Sequence, residues 1–283
     1  MAQEFDVPLG PDGTLPLPEP IRAALELADG QDVRFLLRDD GTVEVLAPPS
    51  APPMADPQWL VSLRRATAQA EGEQIVALLG QSLFPGVLLW AALGLLVAME
   101  QNAPDAAELA DAVAAQLEER AWRGDLELAE LLRDKAAGKD RGRPSVPADL
   151  QDLANVIDQD AYTGPGGFLN LDDGDVTPGE LLEADPGFAD ELEEGNWLSV
   201  PAEGSRAAWS AMELFADLQE PRLRRRLLAA IEGRGAFRRF REAIDDEPEA
   251  VGCAWQQFST ERAAGRAVEW LASAGYDVAP RAQ

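Results

Sequence analysis

The strongest constraint on this chain is a run of 26 residues, 74–99, that contains no charged side chain. The part from residue 83 to 99 is almost wholly apolar, which is long enough to raise the question of a transmembrane helix. Pro85 and Gly86 interrupt the run, its flanks are acidic, and small residues such as Gly94 suit close helix packing. We therefore expect a buried core helix here and no membrane partner.

Composition places the chain among globular proteins and removes several kinds of active site. Of its 283 residues, 46% are hydrophobic and 27% are charged, and this length allows two or three domains. It has no histidine and a single cysteine, Cys253, which excludes histidine-based catalysis, histidine metal ligands and an internal disulfide framework. The cysteine usage and the absence of a signal-peptide pattern predict a cytoplasmic protein. We predict no catalytic residue, no metal site and no cofactor.

Charge is unevenly distributed along the chain. The net charge is −27, of which residues 1–200 carry −26 and residues 201–283 carry −1. Between residues 144 and 205 there are fifteen acidic residues and no lysine or arginine. Such a negative field repels nucleic acid and attracts basic partners. The same charge could instead serve only to keep the protein soluble. A basic protein partner and mere solubility both stay open as interpretations.

Residues 1–48 show the pattern of two short hairpins around one helix. Strands are predicted in FDVPLG, TLPLP, VRFLL and TVEVLAP, with turns at Pro11-Asp-Gly13 and Asp39-Asp-Gly41. Between the hairpins, PEPIRAALEL is typical of a short helix with a proline in its first turn.

This order of turn, helix and second hairpin resembles the AbrB/MazE/SpoVT swapped-hairpin family. The resemblance rests on GTLPLP at 13–18, on Ile21-Arg22 and on GTVEVL at 41–46. It implies a homodimer in which both chains contribute hairpins to one small β-barrel. Four short strands and one short helix bury little surface alone, which agrees with that expectation.

Members of that family commonly bind DNA through arginines of the barrel, which would here be Arg22, Arg34 and Arg38. Residues 1–48 nevertheless carry ten acids against these three bases. Affinity for DNA depends on neutralising phosphates with lysine and arginine, so the resemblance supports dimerisation more than DNA binding. The alternative for Arg22 is an ion pair on the helix surface.

Two linkers divide the rest of the chain. The proline-rich segment 49–58 is predicted to be extended, residues 59–134 to be helical, and residues 135–148 to form a second linker. Residues 149–280 are predicted to form an α+β domain, with a hairpin at 166–176, a strand at 197–200 and several helices. The expected fold class is therefore α+β and multi-domain, with the swapped-hairpin barrel unit at its N-terminus.

The C-terminal half resembles a bacterial uncharacterised protein family, numbered 0158. The resemblance rests on GFLNLDDGDV at 167–176, WLSVP at 197–201, GRGAFRRF at 233–240 and the helix that follows Arg262. It implies a fold and a bacterial source, and it carries no activity.

Residues 222–241 form a basic segment with eight arginines and one acid, Glu232, in a strongly acidic protein. Two helices joined by Gly233-Arg-Gly235 resemble a helix-turn-helix, and Phe237, Phe240 and Ile244 are expected to face inward. The exposed arginines could contact phosphates of DNA or RNA, or they could pair with nearby acids. The candidate binding residues of this segment are Arg224, Arg225, Arg234, Arg238, Arg239 and Arg241.

These patterns predict a non-enzymatic, dimeric bacterial regulatory protein of the transcription-factor or antitoxin class. The alternative is an acidic interaction or scaffold protein that does not bind nucleic acid. A third class, an enzyme, lacks any recognisable nucleophile, phosphate loop or carboxylate pair in the sequence.

Overall fold

A computed structural model describes residues 18–24, 34–37, 43–46, 55–159, 166–184 and 186–280 of the chain. In the N-terminal part, α1 spans Glu19–Ala24, and β1 (Arg34–Leu37) pairs antiparallel with β2 (Val43–Leu46). The predicted helix and the predicted second hairpin are thus confirmed. The two strands predicted before the helix lie outside the described residues, except for Pro18. Arg38 also lies outside the described residues.

The middle of the chain is helical, as predicted. The elements are α2 (Pro57–Ala68), α3 (Gly72–Gln81), a 3₁₀ turn (Pro85–Val87), α4 (Leu88–Glu100), α5 (Ala106–Arg120) and α6 (Asp125–Ala136).

Helix α4 is the apolar run that constrained the sequence most. Ten of its 13 residues are buried, and it packs against α2, α3, α5 and α6, so the predicted core helix is confirmed. Within the described residues, no helix combines the length and the apolar character needed to cross a bilayer.

The C-terminal part mixes short strands with helices. The elements are β3 (Ser145–Val146), α7 (Leu150–Ile157), β4 (Gly167–Asn170), β5 (Val176–Pro178), α8 (Leu181–Ala184), α9 (Pro186–Glu194), β6 (Trp197–Val200), α10 (Arg206–Asp217), α11 (Pro221–Ile231), α12 (Ala236–Asp245), α13 (Glu249–Ser273) and β7 (Asp277–Val278). The predicted hairpin is β4–β5, and β6 pairs antiparallel with the other side of β4. Strand β7 returns to pair in parallel with β3.

Two hydrophobic cores share the long helix α13. The larger core joins α2–α7, β3, β4, β6 and β7 with the second half of α13, which contributes Ala263, Val268 and Leu271. The smaller core joins α10, α11 and α12 with the first half of α13, around Phe258. Residues of the predicted helical region and of the predicted C-terminal domain therefore meet in one core.

The fold class is a mostly helical α+β arrangement with small sheets. In the part of the chain that the structure describes, each sheet has two or three strands and none closes into a barrel. The domain boundaries and the N-terminal barrel stay predictions.

Candidate functional site

The arginine-rich segment forms the helix pair α11–α12. Glu220 caps α11, since its carboxylate accepts hydrogen bonds from the backbone N–H groups of Arg222 and Leu223 at 2.8 and 2.7 Å. These bonds lower the pKa of Glu220. The turn between the helices uses Gly233 and Gly235, both at positive φ, 70° and 78°. Leucine and isoleucine residues of α11 and four residues of α12 turn inward, which leaves most of the arginines outside.

Some of these arginines pair with acids close to them in sequence. Arg224 donates to Asp217 at 2.9 Å, and Arg226 pairs with Asp246 and Glu247. Arg238 lies 3.5 Å from Glu242. Within the described residues, these ion pairs reach acids between 217 and 247.

Arg239 has a different environment from its neighbours. Its half-buried guanidinium donates to the backbone carbonyls of Ala230, at 3.1 Å, and of Glu232 and Arg234. It therefore closes the C-terminal end of α11, whose last carbonyl groups have no partner within the helix. This contact links α12 to the end of α11.

The remaining arginines of the segment form what we call the arginine surface: Arg222, Arg225, Arg234 and Arg241, together with Phe237. The four arginines are exposed and take part in no ion pair among the described residues. Phe237, predicted to face inward, is instead 43% exposed, whereas Phe240 and Ile244 are buried as predicted. The surface thus combines unpaired positive charge with an exposed aromatic ring.

The predicted N-terminal site residues lie in a different part of the chain. Arg22 lies 3.7 Å from Glu19 in a pair on the surface of α1, which is the alternative interpretation given above. Arg34 begins β1, and Arg38 lies outside the described residues.

A second arginine cluster lies where α13 crosses the connection between α5 and α6. Gly124 in that connection has a φ of 84°, and a Cβ atom there would lie 2.1 Å from the carbonyl oxygen of Gly265. A Cβ atom on Gly265 would lie 2.3 Å from the carbonyl oxygen of Arg123. Two glycines therefore allow the two backbones to touch, and this contact brings the charged residues on either side together.

The centre of this cluster is a buried ion triad of Arg120, Asp125 and Glu261. Arg120 donates to both oxygens of Asp125 at 2.9 and 2.7 Å, to Glu261 at 3.0 Å and to the carbonyl oxygen of Pro85 at 2.9 Å. The exposed fractions of the three side chains are 9%, 1% and 0%. In this triad two carboxylates share one cation in a poorly solvated site, so removing the cation would leave buried charge without a partner.

Glu261 is the most strongly perturbed member of the triad. One carboxylate oxygen accepts the N–H of Leu89 at 2.5 Å, and the other is buried with no hydrogen-bond partner in the described part of the chain. Burial raises the pKa of Glu261 to about 7, although Arg120 and the Leu89 N–H act in the opposite direction. Burial also opposes the charge of Arg120, but the bonds and charges of Asp125 and Glu261 leave its pKa raised.

Arg262 and Arg266 continue the cluster along α13. Arg266 is buried and pairs with Asp158 at the end of α7. The guanidinium of Arg262 lies 5.1 Å from the ring of Trp122, and Arg120 lies 4.2 Å from the same ring. Burial first, and then the positive charges of Arg266 and Arg120, lower the pKa of Arg262 to about 10. In the part of the chain that the structure describes, Arg262 has no carboxylate partner.

These residues open onto a cleft with a volume of about 330 Å³. We call it the arginine cleft; its charged and hydroxyl-bearing lining is Arg123, Glu203, Arg206, Ser210, Arg262 and Arg266. The hydrogen bond from the Glu203 N–H to the carbonyl of Ile157, at 2.7 Å, holds one wall against α7.

None of the predicted site residues belongs to the arginine cleft. The signal in the sequence is spacing: Arg262, Arg266 and Glu269 recur at helical intervals within an alanine-rich stretch, as do Glu261 and Gly265. Charged residues at core spacing indicate paired buried charges, but their partners on α5, α6 and α7 are distant in sequence.

The acidic turn between β4 and β5 uses its carboxylates to organise its own backbone. Asp173 accepts the N–H of Asp175 at 2.9 Å, and Asp172 accepts from the Asn196 side chain at 3.1 Å. Across the described residues, no group of three or more candidate ligands is arranged to hold a metal ion.

Comparison with known proteins gives one match. Residues 187–282 match the model of an uncharacterised protein family, UPF0158. The matched range contains α10–α13, and therefore the arginine surface as well as Arg206, Arg262 and Arg266 of the arginine cleft. The predicted resemblance of the C-terminal part is confirmed over this range. No curated protein and no solved structure matches the chain. The resemblance of residues 1–48 to swapped-hairpin proteins stays a prediction.

Proposed function

We propose that the protein is a non-enzymatic, dimeric bacterial regulator, in the transcription-factor or antitoxin class, that contacts nucleic acid through the arginine surface. One observation carries the proposal: Arg222, Arg225, Arg234 and Arg241 are exposed without a carboxylate partner among the described residues. The chain has a net charge of −27, so carboxylates that could pair with arginine are abundant. Four arginines of one helix pair without such a partner among the described residues are therefore unexpected.

The chemistry of this surface suits a phosphate backbone. Exposed arginines retain their hydration and side-chain freedom, and they gain affinity by releasing counterions from a polyanion. Phe237 stands between Arg234 and Arg238 in the sequence and is exposed, and exposed aromatic rings bind unpaired bases by stacking. The surface therefore favours binding with little sequence preference, and single strands over duplexes.

A dimer would double the number of these arginines on one assembly. The support is the N-terminal hairpin, which in the described residues is a ladder of two four-residue strands. An isolated hairpin of this size is at best marginally stable in water, which favours pairing with a second copy. The expected solution mass is twice that of one chain, and light scattering on the full chain tests it.

The test of nucleic-acid binding is a fluorescence anisotropy titration with a labelled RNA strand and a duplex DNA, at about 50 mM salt and at higher salt. We expect affinity that falls steeply with added salt, and a smaller salt slope for Arg225→Gln and Arg241→Gln. Arg226→Gln, at a paired arginine of the same segment, is the matched control and should change the slope less. Absence of binding to both probes at low salt would overturn the proposal.

The alternative function is an acidic scaffold that recruits a basic protein, favoured by a separate observation. Eight carboxylates around the β4–β5 turn and on α9 are exposed: Asp172, Asp173, Asp175, Glu180, Asp190, Glu191, Glu193 and Glu194. This function predicts a protein partner that co-purifies with the chain and is lost when residues 172–194 are neutralised. Retention of the partner by the neutralised variant would exclude the acidic segment as its binding site.

A further inference from the structure

We propose that the arginine cleft is a binding site for a small phosphate-bearing molecule, separate from the arginine surface. Its four arginines come from three parts of the chain: Arg123 precedes α6, Arg206 begins α10, and Arg262 and Arg266 lie one turn apart on α13. Convergent side chains from several elements in one concavity are typical of ligand sites and unusual for solvated charges.

Two of the four arginines are already neutralised and two are not. Arg266 pairs with Asp158, and Arg123 pairs with Glu269 and lies 3.9 Å from Glu203. Arg206 and Arg262 take part in no ion pair within the described residues. Because Arg206 is exposed at the mouth and Arg262 is partly buried, the cleft offers two uncompensated positive charges at different depths.

Helix α13 carries two buried arginine donors without an acceptor. The Nε atoms of both Arg262 and Arg266 are inaccessible and have no hydrogen-bond partner in the described structure, and Arg266 as a whole is only 4% exposed. Unsatisfied buried donors cost free energy, and most are satisfied in native proteins by protein groups, water or ligand. The same two residues line the cleft, so an oxyanion bound there would place a compensating negative charge beside them.

The lining of the cleft suits a phosphate group. Arginine binds phosphate through paired N–H donors, and its planar group is the usual choice for this ligand. The Ser210 hydroxyl in the wall can donate a further hydrogen bond. The volume of about 330 Å³ leaves room for an organic portion beside the phosphate, and Glu203 can accept a hydrogen bond from a hydroxyl of that portion.

The experiment is calorimetric titration of the full chain with inorganic phosphate, against a chloride buffer of equal ionic strength. We expect saturable binding that is weakened about 10-fold or more by Arg206→Gln and by Arg262→Gln, since each removes charge-assisted hydrogen bonds. Arg225→Gln changes the net charge equally but lies on the arginine surface, so phosphate binding by this control should be unchanged. Arg206 is exposed, so its variant should fold normally, and a thermal melt in chloride checks this for both variants.

Two results would overturn the proposal. The first is the absence of saturable heat when phosphate is added to the folded wild-type chain. The second is an equal response of wild type, Arg206→Gln and Arg262→Gln, as expected from the general action of phosphate salts on folded proteins. The nucleic-acid proposal rests on Arg225 and Arg241, so either proposal can fail without the other.

Discussion

The molecule uses arginine in two opposite ways, and the contrast separates two kinds of functional surface. On α11 and α12 most arginines are exposed, and each of these pairs with an acid nearby in sequence or takes part in no ion pair among the described residues. In the cluster on α13 the side chains of Arg120 and Arg266 are only 9% and 5% exposed, and their ion pairs with Glu261 and Asp158 join segments more than a hundred residues apart. The first kind of surface can be recognised in the sequence, because its arginines are close together in the chain. The second kind forms only when distant segments fold against each other.

The difference has an energetic basis. An exposed ion pair contributes little, because water and salt already stabilise both charges. A buried charge cannot rely on water, so removing one partner leaves the other with a large desolvation cost. The comparison therefore predicts large effects for substitutions in the α13 cluster and small ones on α11 and α12.

The largest effect is expected for Arg120→Met, which leaves Asp125 and Glu261 buried without their cation. We expect a loss of about 3–5 kcal/mol in the free energy of unfolding, measured by urea denaturation at pH 7.5. Arg225→Met removes the same charge from the exposed surface and should change stability by less than about 0.5 kcal/mol. Similar values for both variants would break the contrast between the two regions.

The second prediction concerns pH and Glu261→Gln. The pKa of Glu261 rises from 4.5 to about 7 on folding, so between these pH values the folded chain holds a proton that the unfolded chain releases. The stability of wild type relative to Glu261→Gln should therefore fall by about 3 kcal/mol as the pH rises through this window. Paired denaturation curves at several pH values measure this difference. A difference that rises with pH would show that Arg120 outweighs burial.

The third prediction tests the backbone contact that assembles the cluster. Gly265→Ala places a methyl group 2.3 Å from the carbonyl oxygen of Arg123 and should destabilise the protein by about 1–3 kcal/mol. Gly252→Ala lies in the same helix with its nearest neighbour, Ile244, at 3.9 Å. This control should be stabilising by about 0.4–1 kcal/mol, because alanine has less conformational freedom in the unfolded chain. Opposite signs in thermal or urea melts would confirm that the contact at Gly265 is tight.

The smallest effect is expected on the exposed helices. Arg226→Gln removes two ion pairs, to Asp246 and Glu247, and should cost less than about 1 kcal/mol in low salt. The loss should shrink further in about 1 M salt, which shortens the screening length. A larger loss that persists at high salt would show that this surface behaves like the buried cluster.

The sequence predicted local elements well. The uncharged run became the buried helix α4, and the Asp-Asp-Gly turns marked both described hairpins. It also placed most arginines of α11 and α12 outside, because the apolar positions of each helix recur at helical spacing. Phe237 is the exception: it follows the helix start closely, where the neighbouring helices do not cover it, and it is exposed.

The sequence could not predict the arginine cleft. Its parts are Arg123, the start of α10 and one face of α13, and local patterns do not state which distant helices pack together. The charged residues of α13 meet Trp122 and Asp158, which are more than a hundred residues away in the sequence. The helix expected to follow Arg262 is longer than that: α13 is a single helix of 25 residues, shared by two cores.

That shared helix has a consequence for how the chain is made. The apolar surface of α4 is complete by residue 100, but the α13 residues that help to cover it come after residue 260. At typical synthesis rates the ribosome needs roughly 10–30 seconds to add that intervening length. During this interval α4 is covered by α2 and α3, and then by α5 and α6 as they emerge. The larger core closes only when α13 emerges.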